Sequence, residues 1–438
     1  MREELALAKP TRSQRRWHGL ERGAFFHFNM STFVPEYDPW ETPPADPPDP
    51  AAFDPGAVDV DQWLRAAAAF DAEYAVLTAK HHEGFCLWPT ATHEYDVTAS
   101  PYGGRDADLV GEFVDACRRH GVEPGIYLSG WSTYTGTRPG GVVAEWSDLS
   151  QAEYDEVFLG QLEELVTEYG DLAELWFDGS LDPEAGPDPR PVIYDHQPDA
   201  AVFQSPAGTV RWVGNERGHA PYPFWNAITH EDARSFESGQ AFDERETGTP
   251  HGSATGPIWL PGECDTTVRD HHWFWKPDTE SSLKSLDELL EVYYRSVGRG
   301  CNLLLNANPN REGVVPDPDL ERYREFGAEL DRRFDDPVAS VAGERGNATL
   351  AFDSPRTVDH AVVMEDVRDG QRIRQYAVEA RRDGEWDPVA SGSSVGYRKI
   401  DRFEPVETDA LRVRPTEAFA RPVRIRRFAA YRAGTGPD

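Results

Sequence analysis

From about residue 20 to residue 310 the chain repeats one unit, an amphipathic helix followed by a short strand that is apolar without alternation. The series opens with a strand in the stretch Gly23-Ala-Phe-Phe-His-Phe-Asn-Met-Ser-Thr-Phe33. Trp63, Leu64, Ala67 and Ala68 share helical spacing and precede the strand Tyr74-Ala-Val-Leu-Thr-Ala-Lys-His81. Leu109, Phe113, Ala116 and Cys117 mark a helix that stops at Gly121, before Pro124-Gly-Ile-Tyr-Leu-Ser129. Phe158, Leu162, Leu165 and Val166 lead into Glu174-Leu-Trp-Phe-Asp178. Short strands follow at 201–204 and 210–213, and a helix through Leu286, Leu289, Leu290 and Tyr293 runs into Asn302-Leu-Leu-Leu-Asn306. Strands with no polar face must be covered on both sides, which requires parallel pairing with helical crossovers. No Gly-x-Gly-x-x-Gly opens any of these helices, so the expectation is a (β/α)8 TIM barrel rather than a doubly wound sheet.

Beyond residue 335 the texture changes. Ala361-Val-Val-Met364, Gln375-Tyr-Ala-Val378 and Ala410-Leu-Arg-Val413 are short strand signals separated by turn pairs such as Asp383-Gly384 and Ser391-Gly392. Helical periodicity ends there. The reading is a barrel over 1–335 and an antiparallel β-sandwich over 336–438.

Charge then narrows the partners. The net charge is −33, from 77 acidic and 44 basic residues, and such a surface repels nucleic acid and anionic membranes. Only five of the 44 basic residues are lysine, and the acids are spread along the whole chain. That distribution suits a protein dissolved in concentrated salt, where self-repulsion is screened. Cys86, Cys117, Cys264 and Cys301 are scattered, with no zinc-type spacing, and fit a reducing compartment. Met1 to Trp17 carries no apolar segment, and no run of about 18 apolar residues occurs. A cytoplasmic location is the expectation, with no membrane partner, and the oligomeric state is left open.

Asp178 ends a buried strand directly before Gly-Ser, at the end of a barrel strand where chemistry is done. An Asp-Gly turn is the bland alternative for the same residues. Lys80-His81-His82-Glu83-Gly84-Phe85 places two imidazoles at the corresponding end of an earlier strand. A metal there needs both rings on one side, and adjacent strand residues point oppositely unless the strand breaks; no further ligand spacing supports it, so no metal or other cofactor is expected. Glu216, in Trp212-Val-Gly-Asn-Glu216, and Glu263, in Pro261-Gly-Glu263-Cys-Asp265, are loop acids by sequence. Either one with Asp178 makes the pair of carboxyls that glycosidic cleavage requires. The 13 Trp, 16 Tyr and 21 Phe supply flat rings for sugar faces.

Taken in order, Ala24-Phe-Phe-His27-Phe, Lys80-His-His-Glu-Gly-Phe85, Gly125-Ile-Tyr127, Leu175-Trp-Phe-Asp178-Gly, Trp212-Val-Gly-Asn-Glu216 and Asn302-Leu-Leu-Leu-Asn306 resemble the α-L-fucosidases of glycoside hydrolase family 29. The likeness runs from about residue 15 to 330 and continues into a C-terminal sandwich similar to the family's galactose-binding-like module. Gly214-Asn-Glu216 and Pro261-Gly-Glu263-Cys-Asp265 look more like the subgroup that prefers α-1,3/1,4-linked fucose. The resemblance implies a fucosylated oligosaccharide as substrate and a retaining double displacement with Asp178 as nucleophile. It makes Glu216 the acid/base, with Glu263 in reserve. It also implies that His27, His81 and His82 hydrogen-bond the fucose hydroxyls, that Trp40, Tyr127 and Trp176 surround the sugar, and that Trp273 or Trp275 meets its C5 methyl. A binding protein on the same barrel, or a metal hydrolase centred on His81 and His82, are the competing readings.

Overall fold

The computed structural model describes residues 7–41, 43–237, 251–419 and 422–434. Residues 1–6, which begin the stretch read for an export signal, lie outside them.

Eight short parallel strands form the first sheet: β1 Arg22–Phe26, β2 Tyr74–Lys80, β3 Glu123–Leu128, β4 Glu174–Trp176, β5 Ala201–Phe203, β6 Arg211–Trp212, β7 Gly262–Thr266 and β8 Asn302–Asn306. Their hydrogen-bonded order is β5-β4-β3-β2-β1-β8-β7-β6. A parallel bridge between Phe203 and Val210 joins the two ends, so the sheet closes on itself. This is the barrel the unbroken apolar runs predict.

The strands sort their side chains into two shells. Phe25, Tyr74, Val76, Tyr127, Trp176, Phe203 and Leu304 pack together inside the barrel, with Trp17 among them. Ala24, Phe26, Ala75, Leu77, Ile126, Leu175, Val202 and Leu303 face the helices. Both shells are buried, which is why β2 is covered at all seven positions and shows no alternation in sequence. The helices between strands are delimited by local chemistry. Val60–Ala68 and Leu109–His120 are capped by Asp59 and Asp108, and the latter ends on Gly121 at φ 70°. Gln151–Glu168 starts with a Ser150/Glu153 capping box, a device worth about 1 kcal/mol.

The last barrel helix, Asp317–Phe334, is followed by six antiparallel strands: β9 Ala339–Arg345, β10 Ala348–Glu365, β11 Ile373–Arg382, β12 Glu385–Gly392, β13 Lys399–Ala418 and β14 Arg424–Tyr431. They are ordered β9-β14-β10-β13-β11-β12. The two long strands β10 and β13 shift register between Ala351 and Arg356 and again between Val358 and His360. Such irregularities bend strands and let one sheet fold over a core of its own, which includes Leu350, Val358, Val363, Tyr376, Leu411 and Phe428. Alternate residues of the same strands, Val362, Met364, Ala429 and Tyr431, join the barrel's core instead. The sandwich thus shares apolar packing with the barrel. Polar ties reinforce it: Arg398 pairs with Glu21 at 2.6 Å, and Tyr294 meets His360 at 2.8 Å.

Candidate active site

The C-terminal ends of the barrel strands meet around a pocket of about 550 Å³, the position where barrels of this kind place their chemistry. Asp178 stands two residues past β4. Its Oδ2 accepts a hydrogen bond from the Tyr127 hydroxyl at 2.7 Å and lies 3.3 Å from His82 Nε2. Burial alone would raise its pKa, but the His82 and His81 imidazoles and these donors outweigh burial and hold the carboxyl well below the usual range. The side chain remains 36 % exposed toward the cavity, so the ionised group faces whatever enters.

The register of β2 breaks between Thr78 and Lys80. Lys80 turns outward to Gln161 at 2.7 Å, and its burial lowers its pKa to about 8. The strand ends there, which lets His81 and His82 face the same side with ring centroids 4.1 Å apart. Breaks of this sort re-aim side chains beside active sites. His81 Nδ1 is 2.8 Å from Glu83 Oε2, and Glu83 is held ionised at a pKa of about 2 because His81 and Ser31 offset its burial. His82 Nδ1 is 2.9 Å from the Ser129 hydroxyl. Burial, with the neighbouring His81, lowers the pKa of His82, so its ring is neutral. A neutral ring that donates from Nε2 to Asp178 must accept at Nδ1 from Ser129. One ligand atom each from His81, His82 and Asp178 lies within 4.8 Å of the others, so the expected separation of the two imidazoles does not hold. The hydrogen bonds just described already account for this grouping.

His27 follows β1 and is buried. The Asn306 amide nitrogen lies 3.0 Å from its Nδ1, leaving Nε2 for the pocket. Burial and the nearby His81 keep this ring neutral too. Trp176 lines the pocket floor, stacked between Tyr127 and Phe203 at 5.3 and 4.1 Å. Trp40 overhangs the opening, 66 % exposed, with its ring 4.4 Å from Trp131. Glu216, in the loop after β6, lines the same pocket and accepts a hydrogen bond from Trp273 Nε1 at 2.9 Å.

Two expectations are corrected. Glu263 is not in a loop but inside β7, fully buried below the pocket floor, where it accepts from Tyr74 at 2.6 Å and Trp176 at 3.0 Å. It is absent from the pocket wall. The carboxyl of that segment which does reach the pocket is Asp265, two residues nearer the strand's C-terminal end and hydrogen-bonded by Trp212 at 2.6 Å. Burial, with the charge of Glu216 beside it, drives its pKa well up. Likewise Trp275 does not line the pocket, whereas Phe274 does, edge-on to His81 at 4.8 Å. Trp131 was missed although it sits three residues past β3, and it stacks on His82 at 4.4 Å. The common signal was distance along the strand toward its C-terminal end.

A second cavity of about 500 Å³ adjoins the pocket. It shares Pro39, Trp40, Trp131 and Pro139 with it and is completed by Trp146, Arg138 and Glu145. Arg138 pairs with Glu145 and stacks on Trp146, whose indole nitrogen is buried without a partner among the described residues.

Comparison with known proteins converges on one family. The family model described as Alpha-L-fucosidase matches residues 14–333. Alpha-L-fucosidase 1 of Arabidopsis thaliana is 29 % identical over 450 residues, covering 93 % of this chain and 84 % of its own length. A crystal structure from Bacteroides thetaiotaomicron VPI-5482, assigned to the α-L-fucosidases, superposes with a TM-score of 0.89 at 33 % identity, over 97 % of this chain and 99 % of its own. A glycoside hydrolase 29 family member from a rumen bacterium gives a TM-score of 0.83 at 28 % identity, covering 99 % of this chain and 78 % of its own. With its barrel, its sandwich and an ionised aspartate in the pocket, the chain belongs to the α-L-fucosidase family, glycoside hydrolase family 29.

Proposed function

We propose that this α-L-fucosidase cleaves its substrate with retention, Asp178 attacking the anomeric carbon and Glu216 serving as acid and then base. The observation that carries the reading is the held, ionised carboxylate of Asp178 in one pocket with Glu216. In the first step the Asp178 oxygen forms a bond to the anomeric carbon as the glycosidic oxygen leaves with a proton from Glu216. In the second, Glu216 takes a proton from water, whose oxygen displaces Asp178 and releases fucose. A retaining pair stands about 5–5.5 Å apart, a span suited to one sugar between them.

His27, His81 and His82 are the polar side chains placed to take the fucose hydroxyls. The rings of His27 and His82, whose pKa values burial lowers, can donate and accept without adding charge beside the oxocarbenium-like transition state. Trp273 and Phe274 are the apolar surfaces available to the C5 methyl. For the leaving group, the adjoining cavity offers the faces of Trp131 and Trp146 and the Arg138–Glu145 pair. Together with the Gly214-Asn-Glu216 motif, that cavity supports a branched glycan bearing α-1,3/1,4-linked fucose as substrate.

The test is hydrolysis of a p-nitrophenyl α-L-fucoside beside a Lewis-type branched trisaccharide. Glu216→Ala should slow the trisaccharide far more than the aryl fucoside, whose leaving group needs little protonation. Equal loss on both substrates would remove Glu216 as the acid. Arm's-length specificity has its own control: a wild-type enzyme that splits only the aryl fucoside would refute the branched-glycan assignment.

A further inference from the structure

In a chain that carries 33 more negative than positive charges, one cleft on the C-terminal sandwich is ringed by arginines. It measures about 270 Å³ and is lined by Arg345, Arg368, Arg424 and Arg426, with Gly343 and Asp366. The register explains how they converge. Arg345 of β9 stands directly opposite Arg424 of β14, and Arg426 lies two residues on, on the same face of its strand. The residue across from Arg426 in this register is Gly343, where an added Cβ would meet none of the described residues within 4 Å. The side-chain-free position leaves the cleft open between guanidinium groups. Arg368 reaches it from the turn that follows β10.

Like charges directly opposite each other across a strand pair are destabilising. Nearby acids answer only part of this charge. Asp366 is taken up by Arg368 at 2.5 and 2.8 Å. Asp369 is 3.8 Å from Arg424 and is divided among Arg372 and Lys9 as well. Among the described residues, Arg424 Nε is buried with no hydrogen-bond partner. Arg426 bonds Tyr397 and stacks on its ring, which fixes the guanidinium without neutralising it. Guanidinium forks of this kind match planar or tetrahedral oxyanions with paired hydrogen bonds.

We propose that this cleft is an oxyanion site, taking either a free inorganic oxyanion or the same group carried as a sulfate ester on a glycan chain. The site is independent of the chemistry assigned to the barrel pocket. A sulfate ester held here would anchor an acidic polysaccharide to a protein whose overall charge would otherwise repel it.

The experiment titrates the full-length chain with sodium sulfate, and separately with dextran sulfate and neutral dextran, by calorimetry at fixed ionic strength. Wild type and an Arg345→Gln/Arg424→Gln variant are compared, with circular dichroism to verify that both are folded. Saturable sulfate binding by wild type, weakened about tenfold for each guanidinium removed, supports the site. Equal affinity per sulfate for salt and polymer identifies the free anion as ligand. Dextran sulfate binding far more tightly than the salt, with neutral dextran silent, identifies the glycan-borne group. Absence of sulfate binding by wild type, or identical titrations of wild type and variant, overturns the proposal. So does self-association that the variant abolishes while sulfate has no effect, because the arginines would then serve a second copy's acidic surface.

Discussion

Replacing Glu263 by glutamine should change the pH dependence of this protein's stability more than its stability at any one acidic pH. Glu263 and Glu174 lie inside the barrel with no exposed surface. Burial raises the pKa of Glu174 well above its ordinary value, and the like charge of Glu263 adds to it. Burial also raises Glu263, from 4.5 to about 7, against the opposing hydrogen bonds from Tyr74 and Trp176. Between pH 4.5 and 7 the unfolded chain has released the Glu263 proton while the folded chain still holds it, so stability falls as pH rises through that window and is level above it. At 1.36 kcal/mol per pH unit of separation, the loss is about 3 kcal/mol. A glutamine keeps the shape, accepts from Trp176 and can donate to the Tyr74 oxygen, and has no proton to release. The variant should therefore resemble wild type at pH 4.5 and exceed it by about 3 kcal/mol at pH 7 and above. Urea unfolding followed by tryptophan fluorescence, at constant salt and several pH values, measures the difference. A difference that stays constant from pH 4.5 to 8 would refute the picture of a buried, neutral Glu263.

Asp178→Asn should lower kcat/KM about a thousandfold or more while leaving the unfolding midpoint near wild type, since the side chain is partly open to the cavity. Tyr127→Phe removes a donor from Asp178; a hydrogen bond to a charged group is worth about 1.5–3 kcal/mol, so the acid limb of the pH–rate profile should move upward by about one to two pH units. An unmoved limb would detach that limb from Asp178. A chelator should leave the rate unchanged, because His82 and Asp178 are already satisfied by each other and by Ser129 and Tyr127; loss of activity restored by zinc would reopen the three-ligand grouping. Dilution into low salt should unfold the chain if its acidity is a salt adaptation, and full stability without salt, read by circular dichroism, would end that expectation.

The barrel was legible because an unbroken apolar strand followed by a helix has few ways to be buried, and the pattern recurred often enough to fix the class. Asp178, His81 and His82 were legible for a related reason, as polar residues one or two positions past the ends of those strands. Glu263 was misread because the flanking Pro261 and Gly262 look like loop, whereas in the fold Gly262 starts a strand whose inward positions alternate. Once β7 pairs with β8, residues 263 and 265 share the inner face at different depths, and only the shallower one meets the pocket. No sequence pattern reports that depth. The same holds for Phe274 and Trp275, adjacent rings of which one turns into the cavity, and for the trough beside Trp146, which needs two separate loops to be brought together.

The hydrogen bond from Asn306 to His27 spans the seam between the barrel's first and last strands. These residues are separated by 279 positions, so a growing chain holds His27 in place only after nearly the whole barrel has been made. Contacts of such long range form late and slowly. Catalysis is therefore a readout of completed closure: a fragment that stops before β8 carries Asp178, Glu216 and all three histidines in its sequence, yet should turn over no substrate until the missing strand is supplied in trans.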